Sequence, residues 1–267
     1  MSPDVRHLLQ SLRVPGFRYR DFGARLSPAR DAHRRRERSG LTIIALVSLV
    51  RAAGKTTLAA NLARTLAARG LRAAAFDLDP KGELALHFRS RARRGIPFTD
   101  GIAAWMDGGE GFVPYGREAG AAIEPLAAEC DALLFDTPSE PSPQLEQVLG
   151  EADEVLVVLR ADAASLASVR PTEDLLARCR KAWHRTRARY VVNQFDARRS
   201  ADRQALSALR GVLGTRVLSR VVQQDEAVRT ALAAGDAIGG AAPDSQVIAD
   251  LEVIAEDLVP RRAGARE

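Results

Sequence analysis

From residue 41 onward, short apolar runs alternate with segments in which leucine and valine recur every three or four residues. The five apolar runs are Leu41–Val50, Leu71–Phe76, Ala132–Phe135, Val155–Leu159 and Ala188–Val192. Helical patterns lie at about 56–69, 142–150, 165–180, 199–213, 225–234 and 244–258. Because alternating strands and helices build a parallel sheet with helices on its faces, we predict one α/β domain with a mainly parallel sheet. A further short strand is expected over Arg216–Val222.

The positive charge is concentrated at the beginning of the chain. Residues 1–40 contain ten arginines and four acidic residues, a net charge of +6, whereas all 267 residues together carry +5. We therefore divide the chain into a basic N-terminal extension (1–39), an α/β domain (40–260) and a short tail (261–267). Val5, Leu8, Leu9 and Leu12 lie at helical spacing, which makes the extension a candidate docking segment, like a short partner subunit. An arginine-rich extension suits DNA, anionic lipid or an acidic protein partner, and the alternative is a solvated arm without a ligand.

The composition excludes several functional classes. Aromatic residues are 5% of the chain, too few for a platform that stacks single-stranded nucleic acid. Two cysteines, Cys130 and Cys179, cannot form a disulfide framework, and the longest apolar run is about half of a membrane span. Charged residues interrupt the first apolar stretch, so no signal peptide is expected. We expect a cytoplasmic protein, with peripheral attachment to the inner membrane as an open alternative.

A candidate phosphate site follows the first apolar run. Gly54-Lys-Thr-Thr57 lies between that strand and the first helical pattern. A phosphate loop needs backbone N–H groups, a lysine for the β- and γ-phosphates and a hydroxyl for Mg²⁺, and Lys55 and Thr56 are placed for the last two roles. Only three of the 39 basic residues are lysines, which makes a lysine at position 55 notable.

Three further polar groups end later strands. Asp77-Leu-Asp-Pro80 and Asp136-Thr-Pro138 follow the second and third apolar runs, and Asn193 follows the fifth. Because ligands bind at the carboxyl ends of parallel strands, these residues are expected beside the phosphate loop. A single aspartate at such a position is more often a turn residue or a helix cap, and Asn193 alone fits a strand-end turn as well as a base-reading amide. Together, the phosphate loop and the two aspartate motifs favour a nucleotide-binding site.

These motifs resemble the ParA/MinD class of deviant P-loop ATPases, over residues 41 to about 258. The resemblance rests on Gly54–Thr57, Asp77–Pro80, Asp136–Pro138 and Ala152–Val158. Within the class, the chain resembles the cellulose-biosynthesis ATPases (BcsQ) at Phe112–Gly116, Val192–Asp196 and Gln224–Ala233. The resemblance implies a MinD/ParA-like P-loop NTPase fold, ATP and Mg²⁺ as cofactors, and a homodimer with ATP between its subunits that hydrolysis separates.

The resemblance also implies roles for individual residues. Lys55 would contact the phosphates, and Asp79 would orient the attacking water. Thr56 would ligate Mg²⁺ directly and Asp136 through water, while Asn193 would read adenine. The remaining nucleotide-binding positions are those of the loop and the helix start, Arg51, Ala52, Ala53, Gly54 and Thr57. Asp77 would shape the segment that follows the second strand.

The loop departs from the pattern of the class, which has glycines and a second, signature lysine that reaches across the dimer. Val50 occupies the position of that lysine, and alanines replace glycines at positions 52 and 53. Arg51 is the candidate substitute for the missing charge. Because alanine tolerates positive φ poorly, we expect a strained or reshaped loop.

Three functions remain open from the sequence. The first is a slow ATPase switch for cellulose synthesis and secretion, with components of the synthase complex or a short subunit as partner. The second is a positioning ATPase acting on DNA, septum or flagella. The third is a scaffold that binds ATP and does not hydrolyse it. The basic extension offers DNA or anionic membrane as a further partner.

Overall fold

The computed structural model describes residues 40–79, 83–88, 130–179 and 187–259. Within this part of the chain, five strands form one sheet in the order β2-β3-β1-β4-β5, and each neighbouring pair is parallel. The strands are β1 Thr42–Val47, β2 Ala73–Asp77, β3 Ala132–Asp136, β4 Glu154–Arg160 and β5 Arg187–Asn193. The predicted fold class is therefore confirmed. The basic extension and the tail lie outside the described residues, as does Phe112–Gly116.

Seven α-helices and two 3-10 helices are described. The α-helices are α1 Lys55–Ala68, α2 Pro143–Glu151, α3 Ala163–Cys179, α4 Ser200–Leu213, α5 Glu226–Ala234, α6 Ile238–Ala241 and α7 Gln246–Leu258. The 3-10 helices are Glu83–Phe88 and Gly214–Arg216. All six predicted helices are present, whereas α6 and both 3-10 helices were not predicted because each is too short to show an apolar period.

Alternate residues of the central strands enter two hydrophobic cores. On one face, Ile43 and Val157 belong to the cluster that includes the buried leucines of α2, α3 and α4. On the other face, Ile44 and Leu156 pack with the apolar residues of α1 and α7. Both faces are therefore covered, which is why the strands are continuous apolar runs rather than alternating ones. The carboxyl edge of the sheet is the edge at which β1 leads into α1.

Two expectations about strands were wrong. The first strand ends at Val47 rather than at Val50, and Ser48 begins the loop because its Oγ atom hydrogen-bonds both the N–H and the C=O of Val50. The segment over Arg216–Val222 is not a strand. It begins in a 3-10 helix and then runs beside β5 through an isolated bridge between Tyr190 and Val217. The pattern of apolar residues could not distinguish such a loosely bound segment from a regular strand.

Candidate functional site

The phosphate loop connects the end of β1 to the first residue of α1. Gly54 is the N-cap of α1 and has a φ of 84°, in the left-handed region that favours glycine. Gly54 has no side chain that could accept from the N–H groups of the first helical turn. Free N–H groups at a helix N-terminus, together with the helix dipole, form an anion-binding site. The sequence prediction for Gly54–Thr57 agrees with this position.

The Lys55 side chain forms a buried ion pair with Asp136 at the end of β3. Nζ of Lys55 lies 2.9 Å from Oδ1 of Asp136, and the two side chains are 6% and 0% exposed. Burial raises the pKa of Asp136, while the Lys55 ammonium and the Thr56 hydroxyl act in the opposite direction. A buried pair of this kind is strongly coupled, since neither charge has water as an alternative partner. The structure thus brings together three residues predicted for the same site.

The second carboxylate oxygen of Asp136 is the most informative atom of the site. Oδ2 is buried and has no hydrogen-bond partner among the described residues. An unsatisfied buried oxygen is costly, and in native structures such an atom marks an absent ion, an absent water or a functional group. A carboxylate oxygen beside a threonine hydroxyl is a donor set that Mg²⁺ accepts. The residues therefore fit the metal role predicted for Thr56 and Asp136.

Asp77, at the end of β2, holds the backbone that follows it. Its Oδ1 accepts from the N–H of Asp79 at 2.9 Å, and its Oδ2 accepts from the N–H of Leu84 at 2.8 Å. Burial raises its pKa to about 6, against the lowering effect of these hydrogen bonds. Asp79 is half-buried at the same edge of the sheet. Asp77 thus fixes the beginning of the segment that carries the predicted catalytic carboxylate.

His87, in the 3-10 helix Glu83–Phe88, contacts α1. Its Nε2 lies 3.4 Å from Oγ1 of Thr57, and the His87 side chain is 3% exposed. Burial lowers the pKa of His87 to about 4, so the ring is neutral near pH 7. We did not predict this contact because a lone histidine in an irregular segment gives no spacing signal.

The loop is strained at one alanine rather than throughout. Ala52 has a φ of 57°, whereas Ala53 keeps a negative φ and is buried. The expected difficulty with alanine is therefore confined to position 52. Arg51 points into solvent and pairs with Glu140 at 2.7 Å, with 76% and 75% of the two side chains exposed. Glu140 follows β3 and was not predicted.

Asn193 lies at the last position of β5 and contacts the loop. Its Nδ2 donates to the carbonyl oxygen of Ala53 at 2.7 Å. The amide is therefore part of the site, and its role in reading adenine stays a prediction. The next residue, Gln194, donates from Nε2 to the carbonyl oxygen of Ala52 at 3.0 Å. Sequence reasoning missed Gln194, although its place directly after Asn193 was a usable signal.

The parallel sheet, the loop before α1 and the Lys55–Asp136 pair define a P-loop nucleotide-binding domain. Residues 44–238 match the family of the CobQ/CobB/MinD/ParA nucleotide-binding domain. The chain belongs to this family. This agrees with the resemblance to the ParA/MinD class, whereas no comparison supports the cellulose branch in particular.

Among known relatives, the chain is 28% identical over 238 residues to the chromosome-partitioning ATPase Soj of Thermus thermophilus, covering 82% of this chain and 95% of Soj. Two solved structures share the fold. An ATP complex of Cyanothece McdA has a TM-score of 0.63 at 15% identity, and the match covers 85% of this chain and 99% of the McdA chain. The septum site-determining protein MinD of Pyrococcus horikoshii with Mg-ADP has a TM-score of 0.61 at 18% identity, and the match covers 82% of this chain and 96% of the MinD chain.

Two properties concern the described residues as a whole. No helix in the described ranges combines the length and apolar character that a membrane-spanning helix requires. The same ranges contain no cluster of three or more His, Cys, Asp or Glu side chains arranged to hold a metal.

Proposed function

We propose that this chain binds ATP with Mg²⁺ at the phosphate loop and forms a homodimer across the bound nucleotide. Slow hydrolysis of ATP then separates the subunits. The observation that supports this most directly is the buried Lys55–Asp136 pair beside the first turn of α1, in which the second oxygen of Asp136 has no partner within the described ranges. Family membership and the Mg-ADP and ATP complexes of similar proteins support the same cofactors.

Each residue of the site has a distinct role in this proposal. The Lys55 ammonium has three N–H donors, one of which goes to Asp136, and the others serve phosphate oxygens. Thr56 and Asp136 hold Mg²⁺, the latter through water, and the bound ion neutralises charge on the phosphates. Asp79 orients the water that attacks the γ-phosphate. Asp77 fixes the backbone of Asp79, so that its carboxylate has a defined starting position.

Arg51 supplies the positive charge that reaches the partner subunit in this proposal. It is the exposed cation of the loop, one position after the place of the signature lysine. Its pairing with Glu140 is exposed, and exposed ion pairs contribute only about 0–1 kcal/mol. The arginine can therefore leave Glu140 for a stronger anion at small cost.

The first experiment is molar mass by light scattering with no nucleotide, with ADP–Mg²⁺ and with ATP–Mg²⁺. We expect a dimer with ATP only, and a longer-lived dimer for Asp79→Ala, whose phosphate release falls to background. Arg51→Ala is expected to weaken the dimer. Arg170→Ala is its control, because Arg170 is also an exposed arginine in an ion pair but lies on α3. A mass that ignores nucleotide in all samples contradicts the switch and leaves the scaffold function.

For the cellular role, we propose positioning of a cargo, by analogy with the chromosome-partitioning ATPase Soj. Support of cellulose synthesis is the second candidate, because Val192–Asp196 and Gln224–Ala233 resemble the ATPases of that system. A deletion strain separates the two roles. Mislocalised DNA, septa or flagella with normal cellulose favour positioning, whereas lost cellulose with normal localisation favours the second role.

A further inference from the structure

Two side-chain amides at the end of β5 hold two successive carbonyl groups of the phosphate loop. Asn193 donates to Ala53 at 2.7 Å, and Gln194 donates to Ala52 at 3.0 Å. The donors are consecutive in sequence, and so are the acceptors. This arrangement connects β5, an edge strand of the described sheet, to a loop that begins two strands away on β1.

The contact is close enough to restrict the loop. A Cβ atom at Gly54 would lie 2.3 Å from Nδ2 of Asn193 and 3.2 Å from Nε2 of Gln194, so a side chain at position 54 would displace the Asn193 amide and would be strained at a φ of 84°. Ala52 and Gln194 both have positive φ, 57° and 56°, which non-glycine residues rarely adopt. Two unfavourable backbone conformations therefore face each other across one hydrogen bond, and such conformations persist where the surroundings fix them.

The direction of these carbonyls also sets the direction of the neighbouring N–H groups. A trans peptide places the C=O of one residue and the N–H of the next on opposite sides, and the described chain has no cis peptide. With the C=O groups of Ala52 and Ala53 directed at β5, the N–H groups of Ala53 and Gly54 point the other way. In the strand order of the sheet, β3, which carries Asp136, lies on the opposite side of β1 from β5.

We propose that Gln194, with Asn193, is a positioning residue that keeps the N–H groups of the phosphate loop directed at the nucleotide phosphates. The two hydrogen bonds offset the cost of the positive φ at Ala52, a conformation that alanine rarely adopts. This inference rests on the proposed binding of ATP. It gives Gln194 a function that neither the resemblance nor the family match assigns.

The test uses the full-length chain and a fluorescent ATP analogue with Mg²⁺. Gln194→Met keeps the length of the side chain and removes its N–H donors, and Gln194→Gly removes the side chain and relieves the positive φ. We expect both variants to bind the ATP analogue about 5- to 10-fold more weakly, because each lacks the hydrogen bond from Gln194 to the Ala52 carbonyl. In hydrolysis assays, KM rises while kcat changes less than about twofold, since the loop binds ground and transition states alike. Gln204→Met, an exposed glutamine on α4, is the matched control and is expected to bind normally.

Three results would overturn this inference alone, and a fourth would overturn it together with the proposed function. If wild-type protein binds ATP and Gln194→Met binds within twofold of it, the amide has no positioning role while the proposed function stands. If Gln194→Gly binds more tightly than wild type, the positive φ rather than the lost donor controls the loop. If Gln194→Met loses stability without nucleotide in proportion to its loss of affinity, the residue is merely structural. Absence of ATP binding in the wild type would overturn the proposed function and this inference together.

Discussion

Asp77 and Asp136 end adjacent parallel strands and are register partners in the sheet. Both are buried, and burial raises the pKa of both carboxyl groups. Their hydrogen bonds nevertheless differ completely. Asp77 uses both oxygens to accept backbone N–H groups. Asp136 accepts from the Lys55 ammonium with one oxygen, and the described part of the chain offers no hydrogen-bond partner to the other.

The difference arises from the segment that follows each strand. After β2, the N–H of Leu84 in the 3-10 helix Glu83–Phe88 donates to Asp77, so this carboxylate holds backbone groups. After β3, the hydroxyl of Thr137 donates to the carbonyl of Leu46 at 2.7 Å, which secures the turn without using Asp136. Asp136 therefore remains available to the phosphate loop. Equivalent register gives two aspartates the same position along the sheet and does not give them the same role.

The largest expected effect comes from breaking the Lys55–Asp136 pair. Asp136→Leu leaves a buried ammonium without its carboxylate and is expected to destabilise the protein by about 3–5 kcal/mol. Asp77→Ala removes an acceptor for two backbone N–H groups and is expected to cost about 1–3 kcal/mol. Urea unfolding without nucleotide measures both changes.

The double variant Lys55→Met with Asp136→Leu is the decisive control. Removing both charges leaves no unpaired buried ion, so most of the stability lost in Asp136→Leu is expected to return. ATP binding, in contrast, is expected to stay lost in the double variant. If the two single effects simply add, the charges are not coupled, and the contrast between the two aspartates would not depend on Lys55.

A smaller effect concerns the pH dependence of stability, in which Asp77 has a specific sign. Its pKa is about 6 in the folded protein and 3.8 ordinarily, so between these values the folded state keeps a proton that the unfolded chain releases. The contribution of Asp77 to the free energy of unfolding, about 3 kcal/mol, is therefore fully present below about pH 4 and is lost as pH rises to about 6. Relative to wild type, Asp77→Asn is expected to lack this loss in urea unfolding across that range.

His87 acts in the opposite direction over nearly the same range. Its pKa is about 4 in the folded protein and 6.5 ordinarily, so as pH falls the unfolded chain takes up a proton that the folded state refuses. The contribution of His87 to the free energy of unfolding, again about 3 kcal/mol, is present above about pH 6.5 and is lost as pH falls towards 4. In the wild type the two contributions offset each other. His87→Gln is expected to reveal the slope of Asp77, and unchanged slopes in both variants would contradict the assignment.

The sheet and the principal helices could be predicted because each is a long periodic signal. A buried parallel strand is a continuous apolar run, and α1 shows leucines at positions 58, 62 and 66 followed by a positive-φ glycine at position 70. The positions of Lys55, Asp77 and Asp136 followed as well, because parallel strands place their last residues along one edge.

The contacts between those residues could not be predicted, because they depend on three-dimensional neighbours. Nothing in the spacing shows that Asp77 binds backbone while Asp136 binds Lys55. The positive φ of Ala52 is a local property, yet its compensation comes from Gln194, which is 142 residues away in sequence. Glu140 beside Arg51 is a similar case, since an acidic residue in a loop has no period.

The smallest expected effect on stability concerns the ion pair between Arg51 of the phosphate loop and Glu140, which follows β3. This pair is exposed, so Arg51→Ala and Glu140→Ala are each expected to change the free energy of unfolding by less than about 0.5 kcal/mol. Their effects on the ATP-dependent dimer should instead differ in sign. Glu140→Ala releases Arg51 from its partner within the subunit and is expected to strengthen the dimer by up to about 5-fold, whereas Arg51→Ala weakens it. Light scattering over a dilution series measures both changes, and an equal weakening in the two variants would show that Glu140 aids the dimer rather than competing for Arg51.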